Sequence, residues 1–280
     1  VSTYQDFIVQ AEVGLLAFTG EPDTLSRVDF DYTHIVGEAP KGSVTVYNPP
    51  DGFASALHRD TYVRVSAGWN RQLGAVFAGY PIKDGVELSE GKDVSLTVKV
   101  APNTAESWRR AVAVSSRGQK TYTDAVSEVI TDMGLKVGTL DLSLAPTYLA
   151  RGFAFEGPGW RALRTLAASA STDIVFDGDT VSLIRPEIGI PAGMEEIPLF
   201  SHEKGNLIGP VKRTDKGLEI NTFMDLRIRV GARVGFAWYD RFTGTDQRGV
   251  FVVSGLQHRG SSHGAERTTQ VTCRRTGSLP

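Results

Sequence analysis

The chain has 280 residues, of which 22% are charged and 41% hydrophobic, with a formal net charge of −2. That length predicts about two domains or three small ones, and the composition is that of an ordinary soluble globular protein. The near-neutral balance excludes a generally basic nucleic-acid binder on bulk grounds, the single cysteine (Cys273) excludes an intrachain disulfide, and no apolar run approaches the ~20 residues of a membrane span.

The N-terminal VSTYQDFIVQ lacks the basic segment and apolar core of a signal peptide. Phe7-Ile8-Val9 and the following VGLLAF predict a strand or two, and Glu21-Pro22-Asp23 a turn. In Leu25 to Val36, Val28, Phe30 and Tyr32 alternate with Arg27, Asp29 and Asp31, which is a half-buried strand. Ser43 to Tyr47 is another, closed by Asn48-Pro49-Pro50 because proline cannot donate to a ladder. Phe53 to His58 fits one helical turn. Tyr62 to Ile82 reads as a hairpin, with NRQLG as its connection. Asp84-Gly85 and Glu90-Gly91 are turn signals before the alternating strand Val94 to Val100. Residues 1–101 are thus all β.

The composition then shifts. Asn103-Thr104 caps a helix predicted through AESWRRAVAV, and Ser115-Ser116-Arg117-Gly118 breaks it. Thr121 or Thr123 starts a second helix, with Val126, Val129 and Ile130 on one face and Gly134 past its end. A third begins at Trp160. Asp173 to Phe176 and Thr180 to Ile184 form a hairpin about Asp177-Gly178. Residues 102–185 are a small α+β insert. After a Pro/Gly-rich linker (Pro186 to Pro198), β character returns over 186–280, in Gly217–Asn221, Phe223–Val230, Arg233–Tyr239, Val250–His258 and Glu266–Arg275. Cys273 falls in the last of these and reads as a small buried residue.

The two β regions are near-repeats. Each has a strand with tryptophan near its end (Trp69, Trp238), a polar connection, a strand starting Val-Phe (Val76-Phe77, Val250-Phe251), a loop and a long alternating strand. Two like units taken three times make a ring of six nearly equivalent parts.

Chemistry is sparse. His258 and His263, spaced by five with Glu266 nearby, have one possible metal spacing but read as polar loop histidines. Metalloprotease, phosphate-loop and nucleophile-elbow motifs are absent. Asp29 with Asp31, and Glu195 with Glu196, are the carboxylate pairs a glycosidase would need, and the first pair lacks an apolar setting to raise one pKa. Arginines cluster at Arg109-Arg110, Arg227 with Arg229, and Arg274-Arg275. Arg227 and Arg229 share the polar face of a predicted strand, which reads as a solvated face or intersubunit salt bridges, with a lumen or rim contact as the functional alternative. Trp69, Trp238 and Tyr239 at strand ends finish a core or form an interface. No catalytic residue, metal ligand or cofactor site emerges.

Several segments, in serial order, resemble the baseplate hub proteins of phage tails and related contractile injection machines. VYNP (Val46 to Pro49), the Asp60 to Trp69 strand ending AGW, VFAGYPI (Val76 to Ile82) and GKDVSLTV (Gly91 to Val98) are similar to the hub's first tube domain. Phe153 to Ile184 is similar to its helix-plus-hairpin domain, and Leu207 to Val234 with Gly249 to Ser262 to its second tube domain. The first twenty residues carry nothing specific to the family. The resemblance implies a mainly β fold, with two similar antiparallel β-barrel, tail-tube-like domains flanking the insert. It implies a non-enzymatic homotrimer in the virion's tail baseplate, made in the host cytoplasm, with a pseudo-sixfold ring between the tail tube or distal tail adaptor and a trimeric spike. Tape-measure protein and DNA would pass through without specific binding, and no membrane anchor is implied. The rival readings are a monomeric β-barrel module binding carbohydrate or nucleic acid, and a glycan-cleaving tail enzyme.

Overall fold

The computed structural model describes residues 6–21, 27–91, 93–102, 104–116, 120–149, 152–190, 197–215, 217–240 and 243–276. Pro22 and Asp23 of the first predicted turn, Asn103, Arg117-Gly118 and Glu195-Glu196 lie outside them. The first β region contains β1 (Ile8–Val13), β2 (Leu16–Gly20), β3 (Val28–Ile35), β4 (Lys41–Tyr47), β5 (Val63–Trp69), β6 (Gln72–Ser89) and β7 (Ser95–Ala101). A short 3₁₀ turn, Ala54–Ala56, sits where one helical turn is predicted. The middle region contains α1 (Thr104–Arg109), β8 (Ala111–Ser116), α2 (Tyr122–Asp132), β9 (Lys136–Leu140), β10 (Phe153–Pro158), α3 (Gly159–Ser169), β11 (Asp173–Asp177) and β12 (Thr180–Ile184). The last contains β13 (Leu199–Ser201), β14 (Leu207–Thr214), β15 (Gly217–Phe223), β16 (Arg233–Asp240), β17 (Thr245–Ser261) and β18 (Arg267–Arg275). The fold is mainly antiparallel β with a small α+β insert, as the sequence predicts.

Local differences from the sequence reading have identifiable causes. Trp69 pairs with Gln72, so the first hairpin turns on Asn70-Arg71 alone, with φ of 52° and 63°, the left-handed pair of a type I′ turn. Asp84-Gly85 is not a turn. The residues between Pro81 and Val86 are taken up as an irregularity inside β6, which continues to Ser89. The hairpin β11–β12 turns on Gly178-Asp179, one residue later than predicted, with Gly178 at φ 60° in the first central position of a type II′ turn. The helix predicted through AESWRRAVAV stops at Arg109. Val112 and Val114 alternate with alanine and are buried in β8, where β-branched side chains pack well. The strand predicted over Phe223–Val230 stops at Phe223, because the Asp225 carboxylate accepts from the Arg227 backbone N–H (3.0 Å) and closes a turn. Burial still alternates there: Met224, Ile228 and Val230 are buried, Arg227 and Arg229 exposed. Helix α2 behaves as predicted, with Thr121 Oγ1 accepting from the Asp124 N–H (3.1 Å) at one end and Gly134 at φ 77° past the other.

The two β regions have one topology. Neighbouring strands run β1-β5-β6-β7-β4-β3 in the first and β13-β16-β17-β18-β15-β14 in the last, in the same chain order. The ladders match locally, although β6 carries four more residues between its two ladders (Phe77 to Val86) than β17 does (Phe251 to Leu256). Val86, Val98 and Val44 lie across one sheet, and Leu256, Val271 and Ile220 across the other. Val65 pairs with Phe77 and Val234 with Phe251, and each tryptophan lies four residues beyond its valine. The long strands β6 and β17 each pair with one neighbour along their first half and another along their second. The regions differ at the far edge: β1 meets β5 antiparallel and is extended by β2, whereas β13 meets β16 parallel.

Edge strand β3 pairs antiparallel with the second half of β17, from Ile35↔Gly255 to Asp29↔Ser261, and fuses the two regions into one continuous sheet. Gly260 is required there, since a Cβ would come within 2.2 Å of the Phe30 ring. Three apolar clusters lie along the chain: one lined by β1 and β3–β7, one by α2, α3 and the insert strands, one by β15–β18. Val175 and Ile184 of the insert hairpin join the third cluster, and Arg274 holds Asp173 at 2.5 Å, so the insert is clamped to the last region.

Candidate assembly interface

The carboxylates are tied up in structural pairs. Asp29 takes a bidentate guanidinium from Arg27 (3.2 and 2.7 Å) and the Tyr47 hydroxyl (3.1 Å). Asp31 accepts from Gln257 Nε2 (2.8 Å) and Arg259 Nε (3.1 Å) across the β3–β17 seam. The histidines do not converge. His258 is buried with Nδ1 against Thr269 Oγ1 (2.7 Å), while His263 Nδ1 meets Ser262 Oγ (2.8 Å). Among the described residues no group of three His, Cys, Asp or Glu side chains is placed to hold a metal ion. Cys273 is buried, and burial pushes its thiol up, away from reactivity.

The seam is also where the buried polar groups gather. Tyr32 stacks between Phe77 (5.7 Å) and His258 (6.1 Å), with His34 at its edge (6.3 Å). Burial pushes the Tyr32 phenol up to about 12 and both histidines down to about 4, so all three are neutral at pH 7.

The residues singled out in the sequence divide into two groups. Trp69, half-buried, donates its Nε1–H to the Met224 carbonyl (2.9 Å) and lies against Phe7 (4.8 Å) and edge-on to Phe223 (6.1 Å). It ties the first region to the last within one chain. Trp238 is 9% exposed and packs on Phe251 in the third core. Tyr239 is 57% exposed, Arg227 grips Asp225 (2.6 Å) and Arg229 reaches Asp177 (3.6 Å) in water. The structure does not bring these three together into one cluster with the tryptophans.

Sequence reasoning placed none of the open strand edges, and of those among the described residues two bear on the seam. Strand β14 has β15 on one side and, among the described residues, no strand on the other. In β6, pairing with β5 ends at Gly79, so the stretch from Tyr80 to Ser89 has β7 on one side and no described strand opposite. Both carry proline and an irregularity toward one end (Pro81, Pro210), the usual way an edge is kept from indiscriminate pairing. Prolines inside otherwise strand-like runs were the available signal. Beside the β14 edge, Arg213, Trp238, Arg248 and Val250 line an open groove of about 640 Å³. A second groove, of about 370 Å³, lies where Lys41 faces Trp108, Arg109, Trp160 and Arg164, with the two indoles stacked at 6.1 Å.

No protein-family model matches the sequence, and no curated protein does. Solved structures do match. The tail protein from Neisseria meningitidis MC58 superposes with a TM-score of 0.64 at 13% identity, covering 97% of both chains. The prophage MuSo2 43 kDa tail protein from Shewanella oneidensis gives 0.64 at 11%, covering 96% of this chain and 98% of its own. This chain has the fold of phage tail proteins. The same fold extends to the E. coli c3393 protein, with a TM-score of 0.64 at 10% identity over 96% of this chain and 77% of that one. That protein is described as a type VI secretion component with structural similarity to the T4 tail proteins gp27 and gp5.

Proposed function

We propose that the chain is a non-enzymatic baseplate hub of a phage-tail-type particle. Three copies form a pseudo-sixfold ring between the tail tube or its adaptor and a trimeric spike, and the ring surrounds the path of tape measure and DNA. Its units are residues 1–101, 102–185 and 186–280, each carrying one of the three apolar clusters for the most part. The observation that carries this reading is the duplicated strand order inside a tail-protein fold. A chain with two equivalent units per copy presents six to a sixfold tube and three to a threefold spike, which a single-unit chain cannot do. The commitment of Asp29 and Asp31 to guanidinium and amide partners fits a structural role. Tyr239, Arg227 and Arg229 are offered to neighbours in the assembly, and Trp69 and Trp238 hold the strands that present them.

Native mass spectrometry with negative-stain imaging tests the reading. A species of three chains with ring projections supports it. A monomer at every concentration, alone and with tube and spike present, overturns it.

A further inference from the structure

Three cations converge on one groove without an ion pair among the described residues. Lys41 of β4, Arg109 at the end of α1 and Arg164 of α3 line the cavity of about 370 Å³ between the first region and the insert, and Glu38 is the one carboxylate beside them. All three cations are exposed. Arginines elsewhere are spent within the chain: Arg185 on Asp141, Arg213 on Asp240 and Arg274 on Asp173. Arg109 also belongs to an arginine cluster for which the hub reading has no use.

The walls of the groove are fixed. The Gly37 N–H donates to the Ile174 carbonyl (2.8 Å) and pins the β3–β4 turn on the insert hairpin. Trp108 and Trp160 are half-buried against the insert core and stacked on each other, and Trp108 meets Phe176 nearly at right angles (4.5 Å). The guanidiniums of Arg161 and Arg164 lie 5.4 and 5.5 Å from the centre of the Trp160 ring. A cation held over an indole face loses some of its freedom before any ligand arrives. Both arginines stand near the start of α3, whose first turn has no acidic residue. That is the end of a helix where the dipole favours negative charge, so the cations sit against its sign and an incoming anion gains from both.

We infer that this groove takes an acidic peptide segment of another protein. Its carboxylates meet Arg109, Arg164 and Lys41, and an apolar side chain between them rests on the indole pair. A guanidinium is a planar fork that matches a carboxylate with two parallel hydrogen bonds. The volume holds a few side chains, and the tryptophans supply an apolar floor among the charges. A single-stranded nucleic acid would bring anions too, but its bases need open aromatic faces to stack on. The Trp160 ring already carries Trp108 and two guanidiniums, so it serves to hold the arginines. The contact does not rest on the hub reading, and the hub reading does not require it.

The probe is a short fluorescein-labelled peptide alternating glutamate with leucine, titrated with the full chain and followed by fluorescence anisotropy. Binding should be saturable and should weaken as salt is raised. Arg109→Glu and Arg164→Glu should each weaken it about tenfold, and the two together should abolish it. Arg164→Lys, which keeps the charge and loses the fork, should fall between at about threefold. Arg64→Glu makes the same change of net charge on an exposed position of β5 outside the groove and should alter binding less than about twofold. Every replaced side chain is exposed, so melting temperatures should stay at that of the parent chain. Absence of saturable binding, or an equal loss with Arg64→Glu, would overturn the site. Binding of a thymidine oligonucleotide that the double reversal abolishes, without binding of the peptide, would overturn the peptide assignment and make the groove a nucleic-acid contact.

Discussion

In the first β region the edge strand β3 is covered by β17, whereas in the last region the equivalent strand β14 has no described strand on that side. The same strand order is therefore used in two ways. Where the two regions meet inside the chain, the junction holds the polar and aromatic stack of Tyr32, His34 and His258. At the other ends the equivalent positions hold Arg213 on β14, which is paired with Asp240, and Leu88 on β6, an apolar side chain left exposed. The two regions share their strand order, and it is the side chains at the two edges that differ.

If the regions are fused through the seam, they unfold together. Phe77 and Phe251 are equivalent core residues, each facing the valine of its partner strand. Phe77→Ala and Phe251→Ala should each cost ~3–5 kcal/mol, the range for emptying an aromatic site in a core. Urea unfolding followed by near-ultraviolet circular dichroism should show one shared transition moved to lower denaturant in both variants. Two transitions, with only one moved by each variant, would show the regions to be independent.

The seam should also be where acid acts. His34 and His258 are neutral in the fold because burial holds them down at about 4, below the ordinary value of about 6.5. The unfolded chain therefore binds more protons between those values. The stability from each neutral histidine is fully present above pH ~6.5 and is lost as pH falls toward 4, on the order of 3 kcal/mol each. Asp177 near His34 and Asp225 near His258 oppose the loss in part. Melting temperature should fall steeply from pH 6.5 to 4, and His34→Leu should remove about half of that slope. An unchanged slope in the variant would place the acid-sensitive groups elsewhere.

Much of the fold was legible because alternation reports burial even where it misreports the element. Residues 223–230 alternate in burial as a strand would, yet Asp225 turns the chain there, and periodicity alone cannot see a carboxylate accepting from a backbone N–H two residues on. Asp84-Gly85 had the chemistry of a turn, but β7 pairs on both sides of it, so β6 absorbs the residues as an irregularity. The tryptophans were legible as equivalents and not as contacts. Trp69 finds its acceptor at Met224, 155 positions away, a pairing that only the folded seam creates. The open edges were the least legible part, since an edge is defined by which strand is missing beside it.

Equivalent edge residues should differ in a single dilute chain. Asp31 carries three side-chain partners on the seam, and Asp31→Ala should cost about 1 kcal/mol, read as a lower melting temperature. Lys212 on the bare edge holds one partner at 3.7 Å, and Lys212→Ala should stay within about 0.5 kcal/mol. Equal losses at the two positions would mean that the edges are not distinguished as the topology says.

The smallest effect on the single chain is predicted for Tyr239, and the comparison says why. After Trp69 the chain turns at once through Asn70-Arg71, whereas after Trp238 strand β16 runs on to Asp240 and lifts Tyr239 into solvent, 57% exposed. The first region has no counterpart of this ring, so a tyrosine there serves neither the duplicated core nor the seam. Exposed aromatics are enriched where protein surfaces meet. Tyr239→Ser should leave melting of the dilute chain unchanged within about 0.5 kcal/mol, yet weaken assembly about tenfold when measured by sedimentation across a concentration series. A loss of chain stability instead would return Tyr239 to the core, and the strand extension would then be a feature of folding and not of the ring.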